Sequence, residues 1–327
     1  MGRFPSSLIT PAACRSLERR LRRWARRRGP AGAQLLEYVH AAPRFGRGES
    51  PSGIDPYWLL LPGWVEVHVR GGAHITRGRP FLSDILWAQY CVFLFVRLHD
   101  DLLDGDCQTS SMSVVGCGLL MEAERTFARH VDTPVFRTLF RDAIDTTCEA
   151  GLRIDALQRN GGARREVLPA YAAAAAIFKL GTAAVCMAYR RTTMTPLLYR
   201  FCDEIAIAAQ IMDDIHDLDV DVKSGRINYA AACLRNGGVD ASGATPDDMA
   251  KAILRDDGIG ALADEVERHL RRAMRAAAKL PLPPAVAYAE HVRDELNFFR
   301  KSLHHARAKH LLYGHLERIA RRPIAER

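Results

Sequence analysis

From Pro80 onward, apolar residues recur every three or four positions, the period that gathers them on one face of an α-helix. The pattern predicts helices over about 81–104, 112–130, 133–159, 166–190, 196–222, 246–278 and 284–318. The breaks fall at Gly, Pro or Asn, as in "DGDCQTSS", "RNGGARR", "RTTMTP", "RNGGVDASGATPDD" and "KLPLPP". Nearer the N-terminus, Leu17, Leu21 and Trp24 keep a helical spacing inside the Arg-rich "RSLERRLRRWARRRGP". That stretch is expected to be a frayed, solvated basic helix, with contact to a membrane surface or to nucleic acid as the sharper alternative. Residues 41–63 are rich in Pro, Gly and Ser and are expected to form a loop. "VEVHVR" (65–70) alternates as a strand would, but the reading stays against a strand there. There is no internal repeat. The expected fold class is all-α: a basic segment and loop over 1–63, then one large helical domain over 64–327.

Composition narrows the function classes. The chain has 327 residues, 48% of them hydrophobic and 26% charged, as in soluble globular proteins with a sizeable core. The formal net charge is +8, and only six of the 46 basic residues are Lys. This Arg excess reads mainly as genome composition, although Arg also grips phosphate better than Lys. No aromatic interleaving favours nucleic acid, so none is expected as a partner. The eight Cys form no Cys-x-x-Cys pair, which fits a reducing compartment. The most apolar window, Tyr171 to Tyr189, is interrupted by Lys179 and makes a poor membrane span. With no signal-peptide core at the N-terminus, a cytoplasmic location is expected.

Two acidic clusters carry the candidate chemistry. In "FVRLHDDLLDGD" (95–106), Asp100, Asp101 and Asp104 share one side of the last turns of a helix whose lead-in, "CVFLFV", is apolar all round. A helix C-terminus disfavours anions, and no Lys or Arg follows the cluster. A second cluster lies in "QIMDDIHDLDVDVKSGRINY" (210–229). There Asp213, Asp217 and Asp221 are spaced i, i+4, i+8 as one stripe, with Asp214 beside them. Hard cations such as Mg²⁺ take oxygen ligands and bridge carboxylates to phosphates. Two such clusters facing one another would hold several Mg²⁺ ions and, through them, a diphosphate. Lys179, the only Lys in the first 222 residues, is a candidate phosphate contact. So are Lys223 and Arg226, since Gly225 can break the helix and turn Arg226 back over the site. His99 and His216 flank the clusters and are expected to be structural, because Mg²⁺ prefers oxygen.

With these residues in view, the sequence resembles the class I isoprenoid synthases, in particular the trans-prenyl diphosphate synthases. "HDDLLDGD" resembles the first aspartate-rich motif, "AQIMDDIHDLDVDVKSGR" (with Gln210) the second, and "FKLGTAA" (178–184) the Lys-Thr segment that binds diphosphate. The resemblance spans about residues 80–230. It implies a helical bundle with a central active-site cavity, three Mg²⁺ ions, a prenyl diphosphate substrate and a homodimer. Asp100, Asp101, Asp104, Asp213, Asp217 and Asp221 would be metal ligands, and Lys179, Lys223, Arg226 and Gln210 would contact substrate. Phe93 and Val96, below Asp100 on the same helix, would line a dry pocket, with Phe93 as a cation–π wall. Phe95, five residues before Asp100, stands where family members place bulk that shortens the pocket. Phe178, Tyr171 and Tyr189 are further aromatic candidates.

The departures from the family matter. The Arg-Arg-Gly that follows the first motif in chain-elongating members is missing from "DCQTSSMSVVG". The segment that holds the second substrate is echoed by "GGAHITRGRP" (71–80) without its Lys. The first expectation is therefore a class I terpene synthase that ionises one prenyl diphosphate and cyclises the cation. The alternative is a chain-elongating trans-prenyl diphosphate synthase using isopentenyl diphosphate. Head-to-head condensation, a noncatalytic partner subunit, and a metal phosphohydrolase drawing on His40, His68 or His74 are further alternatives.

Overall fold

The longest apolar run explains the centre of the molecule. In the computed structural model, which describes residues 11–41, 56–71, 80–104, 111–160, 164–236 and 258–320, that run becomes a 25-residue helix with Pro80 at its start. In chain order the helices are α1 (Pro11–Arg26), α2 (Gly29–Ala41), α3 (Tyr57–Gly71), α4 (Pro80–Asp104), α5 (Ser111–Ala128), α6 (Pro134–Arg159) and α7 (Arg164–Ala174). A 3₁₀ turn (Ala176–Lys179) leads to α8 (Leu180–Ala188), α9 (Thr195–His216), α10 (Leu218–Lys223), α11 (Tyr229–Asn236), α12 (Gly258–Ala278) and α13 (Pro283–Ala320). No strand occurs among the described residues, and the class is all-α as expected.

Helix α4 packs against α5, α3 and α8. Helix α9 packs against α12, α7 and α11, and α12 against α13. Boundaries follow local chemistry: Thr133 caps α6 by accepting the Phe136 N–H at 3.1 Å, with Pro134 next in line. Helix α4 is long and apolar enough to cross a membrane, yet 61% of its most apolar window is buried in the bundle. It is a core helix.

Two expectations about the N-terminal part need correction. Residues 57–63, expected as loop, are the first turns of α3, and the division at residue 63 falls inside that helix. The alternating "VEVHVR" forms no strand, in line with the reading, and continues the same helix. Val65 and Val69, four apart, are buried, whereas Val67 is 52% exposed, so a period near 3.6 decides which valines enter the core. The basic helix α1 is not frayed into solvent. Leu17, Leu21 and Trp24 are buried against the rest of the molecule, and Arg20 reaches Asp84 on α4 at 2.6 Å. Two predicted helices are interrupted. The stretch 166–190 breaks near Ala175 with a 42° bend, and 196–222 breaks at Asp217, which caps α9. Helix α11 was not anticipated, and residues 246–257 lie outside the described ones.

Candidate active site at the shared end of α4 and α9

Pairs of contacts along the bundle fix the direction of the two acid-bearing helices. Phe81 meets Tyr189 at 5.7 Å and Phe93 meets Phe178 at 6.2 Å, so α4 runs against the path from residue 178 to 189. Lys179 pairs with Asp203 at 2.5 Å, and the Tyr171 hydroxyl donates to Asp214 at 2.5 Å. Helix α9 therefore runs against the path from 171 to 179. Both helices oppose the same bent segment, so their C-terminal ends leave the bundle at the same end. At 1.5 Å per residue, Asp100 lies about 10 Å beyond Phe93 and Asp213 about 15 Å beyond Asp203. Both acidic ends therefore lie toward the same end of the bundle.

At the first motif, the negative charge already has a counterion. Arg97 Nη2 lies 2.6 Å from Asp101 Oδ1, and Nη1 lies 3.1 Å from Asp100 Oδ2. Burial opposes the guanidinium's charge, but Asp101 and Asp100 outweigh it and raise the Arg97 pKa. The Tyr38 hydroxyl, from α2, donates to the other Asp101 oxygen. Burial and that bond push the Tyr38 pKa upward. Asp101 is buried, whereas the Asp100 side chain is 54% exposed. Asp104 ends α4, but its side chain lies outside the described ones, as do Asp106 and the side chains of Asp219 and Lys223. The expectation that this cluster has no local basic partner is thus corrected. Arg97 stands three and four residues upstream, at ion-pair spacing on a helix. Tyr38 gave no signal in sequence, being far away in the chain.

The second motif is organised around a buried carboxylate. Asp214 is 3% exposed and accepts from Tyr171 Oη at 2.5 Å, Gln210 Nε2 at 3.1 Å and the Tyr229 N–H at 3.0 Å. Burial pushes its pKa up to about 7, against the lowering effect of the Tyr171 and Gln210 bonds. Asn228 then ties the loop together, donating to the Asp214 carbonyl at 2.8 Å and to Asp221 Oδ2 at 2.7 Å. Asp213 faces solvent and Asp217 is half-buried. The expected i, i+4, i+8 stripe crosses the boundary between α9 and α10 at Asp217, where the Asp217 N–H bonds the Asp213 carbonyl at 2.8 Å and the Asp221 N–H the Asp217 carbonyl at 2.9 Å. Gly225, at φ +78°, makes the turn expected of it, and the Arg226 N–H closes onto the Asp221 carbonyl at 2.8 Å.

Other expected contacts are placed differently. Lys179 is engaged with Asp203 and lies 5.5 Å from the Tyr199 ring centre, about 15 Å along α9 from Asp213. It borders a cleft of about 160 Å³ between α6, the 3₁₀ turn and α9, lined also by Leu139, Asp142, Thr146 and Tyr199. Gln210 is spent on Asp214. Thr182 is fully buried. His99 and His216 each bond the carbonyl four residues back, from Phe95 at 2.8 Å and Met212 at 2.7 Å. Phe95 packs on His99 beneath Gly116 of α5, where an added Cβ would come within 2.7 Å of the imidazole. Tyr171 and Tyr189 use their hydroxyls on Asp214 and Glu66.

Below the acidic ends lies an aromatic stack. Trp58 of α3 lies 4.5 Å from Phe93 and 5.5 Å from Phe178, both nearly parallel to it, and Tyr90 is 6.4 Å from Phe93. Val96, half-buried, is one turn above Phe93. Phe93 and Phe178 were expected as aromatic walls; Trp58 was missed because its segment read as loop. Helical spacing of Trp58, Leu61 and Val65 was the available signal.

Among the described residues, no three His, Cys, Asp or Glu side chains are grouped closely enough to hold a metal ion. The donors at the two helix ends are nonetheless all carboxylate oxygens, the chemistry that Mg²⁺ takes.

No protein-family model matches the chain, and no curated protein matches it in sequence. Solved structures do match in fold. A decaprenyl diphosphate synthase from Rhodobacter capsulatus aligns with TM-score 0.68 at 15% identity, covering 92% of this chain and 98% of that one. A geranylgeranyl pyrophosphate synthetase from the archaeon Geoglobus acetivorans aligns at 0.68 and 14%, covering 90% and 99%. A polyprenyl synthase from Caulobacter crescentus, complexed with calcium and isoprenyl diphosphate, aligns at 0.67 and 15%, covering 87% and 94%. The chain has the fold of the trans-prenyl diphosphate synthases.

Proposed function

We propose that the chain is a prenyltransferase that binds an allylic prenyl diphosphate at the end of the bundle shared by α4 and α9 and joins the prenyl group to isopentenyl diphosphate. The observation that carries the reading is the convergence of two acidic helix ends at one end of a fold whose solved examples are named prenyl synthases. The allylic C–O bond breaks with its electron pair leaving on diphosphate. The alkene of the second substrate attacks the freed carbon, and loss of a proton restores a double bond. Bound Mg²⁺ would neutralise charge building on the leaving diphosphate. Asp100, Asp101, Asp104, Asp213, Asp217 and Asp221 would hold it; without it, Arg97 engages Asp100 and Asp101, Tyr38 engages Asp101 and Asn228 engages Asp221. The calcium and isoprenyl diphosphate in the Caulobacter protein support this pairing of divalent cation and diphosphate. Arg226 turns back beside Asp221, and Lys223 precedes the same turn. Trp58, Phe93 and Phe178 pack on one another and would have to part to present a π face to a prenyl cation. Lys179, held by Asp203, would reach diphosphate only by leaving that ion pair.

The fold neighbours move elongation ahead of cyclisation, which the sequence had placed first. Cyclisation remains the second reading, favoured by the missing Arg-Arg after the first motif and the missing Lys in 71–80. Purified protein with Mg²⁺ and single allylic diphosphates, with and without isopentenyl diphosphate, separates the two. Products longer by five-carbon units that appear only with isopentenyl diphosphate establish elongation. Hydrocarbon or terpene alcohol from the allylic diphosphate alone establishes cyclisation, and release of diphosphate with neither product refutes both.

A further inference from the structure

The densest run of positive charge in the chain lies near its N-terminus. The whole chain carries a net charge of +8, and residues 15–28 hold eight Arg against a single Glu. A second, more dilute basic stretch, eight basic against two acidic residues, covers 300–327. The denser run belongs to helix α1 and the turn after it.

The fold sorts these arginines by direction. Leu17, Leu21, Trp24 and Ala25 are buried on one side of α1. Arg20 leans inward to Asp84, and the Arg28 guanidinium lies over the Trp24 ring, 3.5 Å from its centre. Arg15, Arg19, Arg22, Arg23 and Arg26 are exposed, and at 100° per residue they fall within an arc of about 100°. Arg27 extends the stripe into the turn. Glu18, paired with Arg22 at 2.6 Å, is the only acid on the helix.

We infer that this stripe is an electrostatic docking surface for an anionic lipid membrane. Leu17, Leu21, Trp24 and Ala25, the apolar residues described on α1, are consumed by the protein's own core, so the outward stripe attaches through its charge, reversibly and in a salt-sensitive way. Nucleic acid fits less well. The stripe displays no aromatic side chain on which bases could stack, and α1 lies flat against α2 and α4 instead of projecting as a groove-reading helix does. Fluid headgroups, by contrast, can adjust to any spacing of arginines. The inference is independent of the chemistry proposed above. If that reading holds, the surface also places the enzyme where prenyl chains partition.

The test is co-sedimentation of the full chain with phosphatidylcholine vesicles and with vesicles of about one third phosphatidylglycerol. Binding is expected only to the anionic vesicles and is expected to vanish in about 1 M salt. The triple variant R19Q/R23Q/R26Q should lose about fivefold in partitioning per arginine, roughly a hundredfold in all. Its melting temperature and its turnover in vesicle-free solution should match the parent. Absence of binding to anionic vesicles, equal binding to neutral ones, undiminished binding by the triple variant, or tighter binding to duplex DNA or RNA than to vesicles would each overturn the inference. Because binding is read without substrate, a protein that docks but makes no prenyl product refutes the proposed chemistry and leaves the docking surface standing.

Discussion

The two acidic ends look alike in sequence and are built by different means. At the end of α4, charge is met by charge: Arg97, one turn back, spans Asp100 and Asp101 while Tyr38 closes the far oxygen. At the end of α9, charge is met by hydrogen bonds to a buried carboxyl, Asp214, and by the Asn228 side chain, which ties Asp221 to the Asp214 carbonyl. The first motif is an ion pair, buried at Asp101 and exposed at Asp100, where a competing cation can enter. The second is a rigid corner in which one aspartate is structural so that its neighbour, Asp213, can face outward.

The comparison breaks most sharply at the exposed carboxylates. If both ends serve one site, Asp100→Ala and Asp213→Ala each lower turnover by about a thousandfold or more, with helical circular dichroism unchanged. The double variant should then be little worse than either single one, since groups that act as a unit are not additive. An active Asp100→Ala variant would show that only the second motif matters.

A smaller effect separates the two architectures by stability. Asp214→Ala leaves the Tyr171 hydroxyl and the Tyr229 N–H without their acceptor and should destabilise by about 3 kcal/mol in urea unfolding. Arg97→Gln should cost less, about 1 to 2 kcal/mol, because its ion pair is partly exposed. The same change removes a resident competitor from the first motif, so the Mg²⁺ midpoint measured by calorimetry should fall several-fold. Among the described residues no cation pairs with Asp214, and Gln210→Ala should leave that midpoint in place.

The finest distinction is the pH dependence. Asp214 is raised from 3.8 to about 7 in the folded protein, so the folded state holds its proton more tightly than the unfolded one. Its contribution to stability is fully present below about pH 4 and is lost progressively as pH rises to about 7. Asp214→Asn should flatten that slope, while Asp100→Asn should not touch it.

Much of this was legible in the chain. The helices over 81–104, 133–159 and 284–318 were readable because long periodic runs bounded by Pro and Gly leave little choice. The acidic motifs were visible for the same local reason. What escaped was set by tertiary contact or by competing local patterns. "VEVHVR" satisfies a strand's alternation, and only burial of Val65 and Val69 together selects the helix. Trp58 hid in a segment whose flanking Pro and Gly suggested loop. Arg97 was readable at its i+3 and i+4 spacing but was overlooked in favour of residues downstream. The partnership of Lys179 with Asp203 could not be read locally, because it depends on which helices meet across the bundle.

Helices α4 and α9 run the same way, so each brings the negative end of its backbone dipole to one mouth of the bundle, before any side chain is counted. A lone diphosphate approaching that mouth meets repulsion, whereas a divalent ion meets attraction. If the proposed site captures diphosphate, capture is ordered in time: metal arrives first, or anion and metal travel together, and free cation concentration governs how often an encounter succeeds.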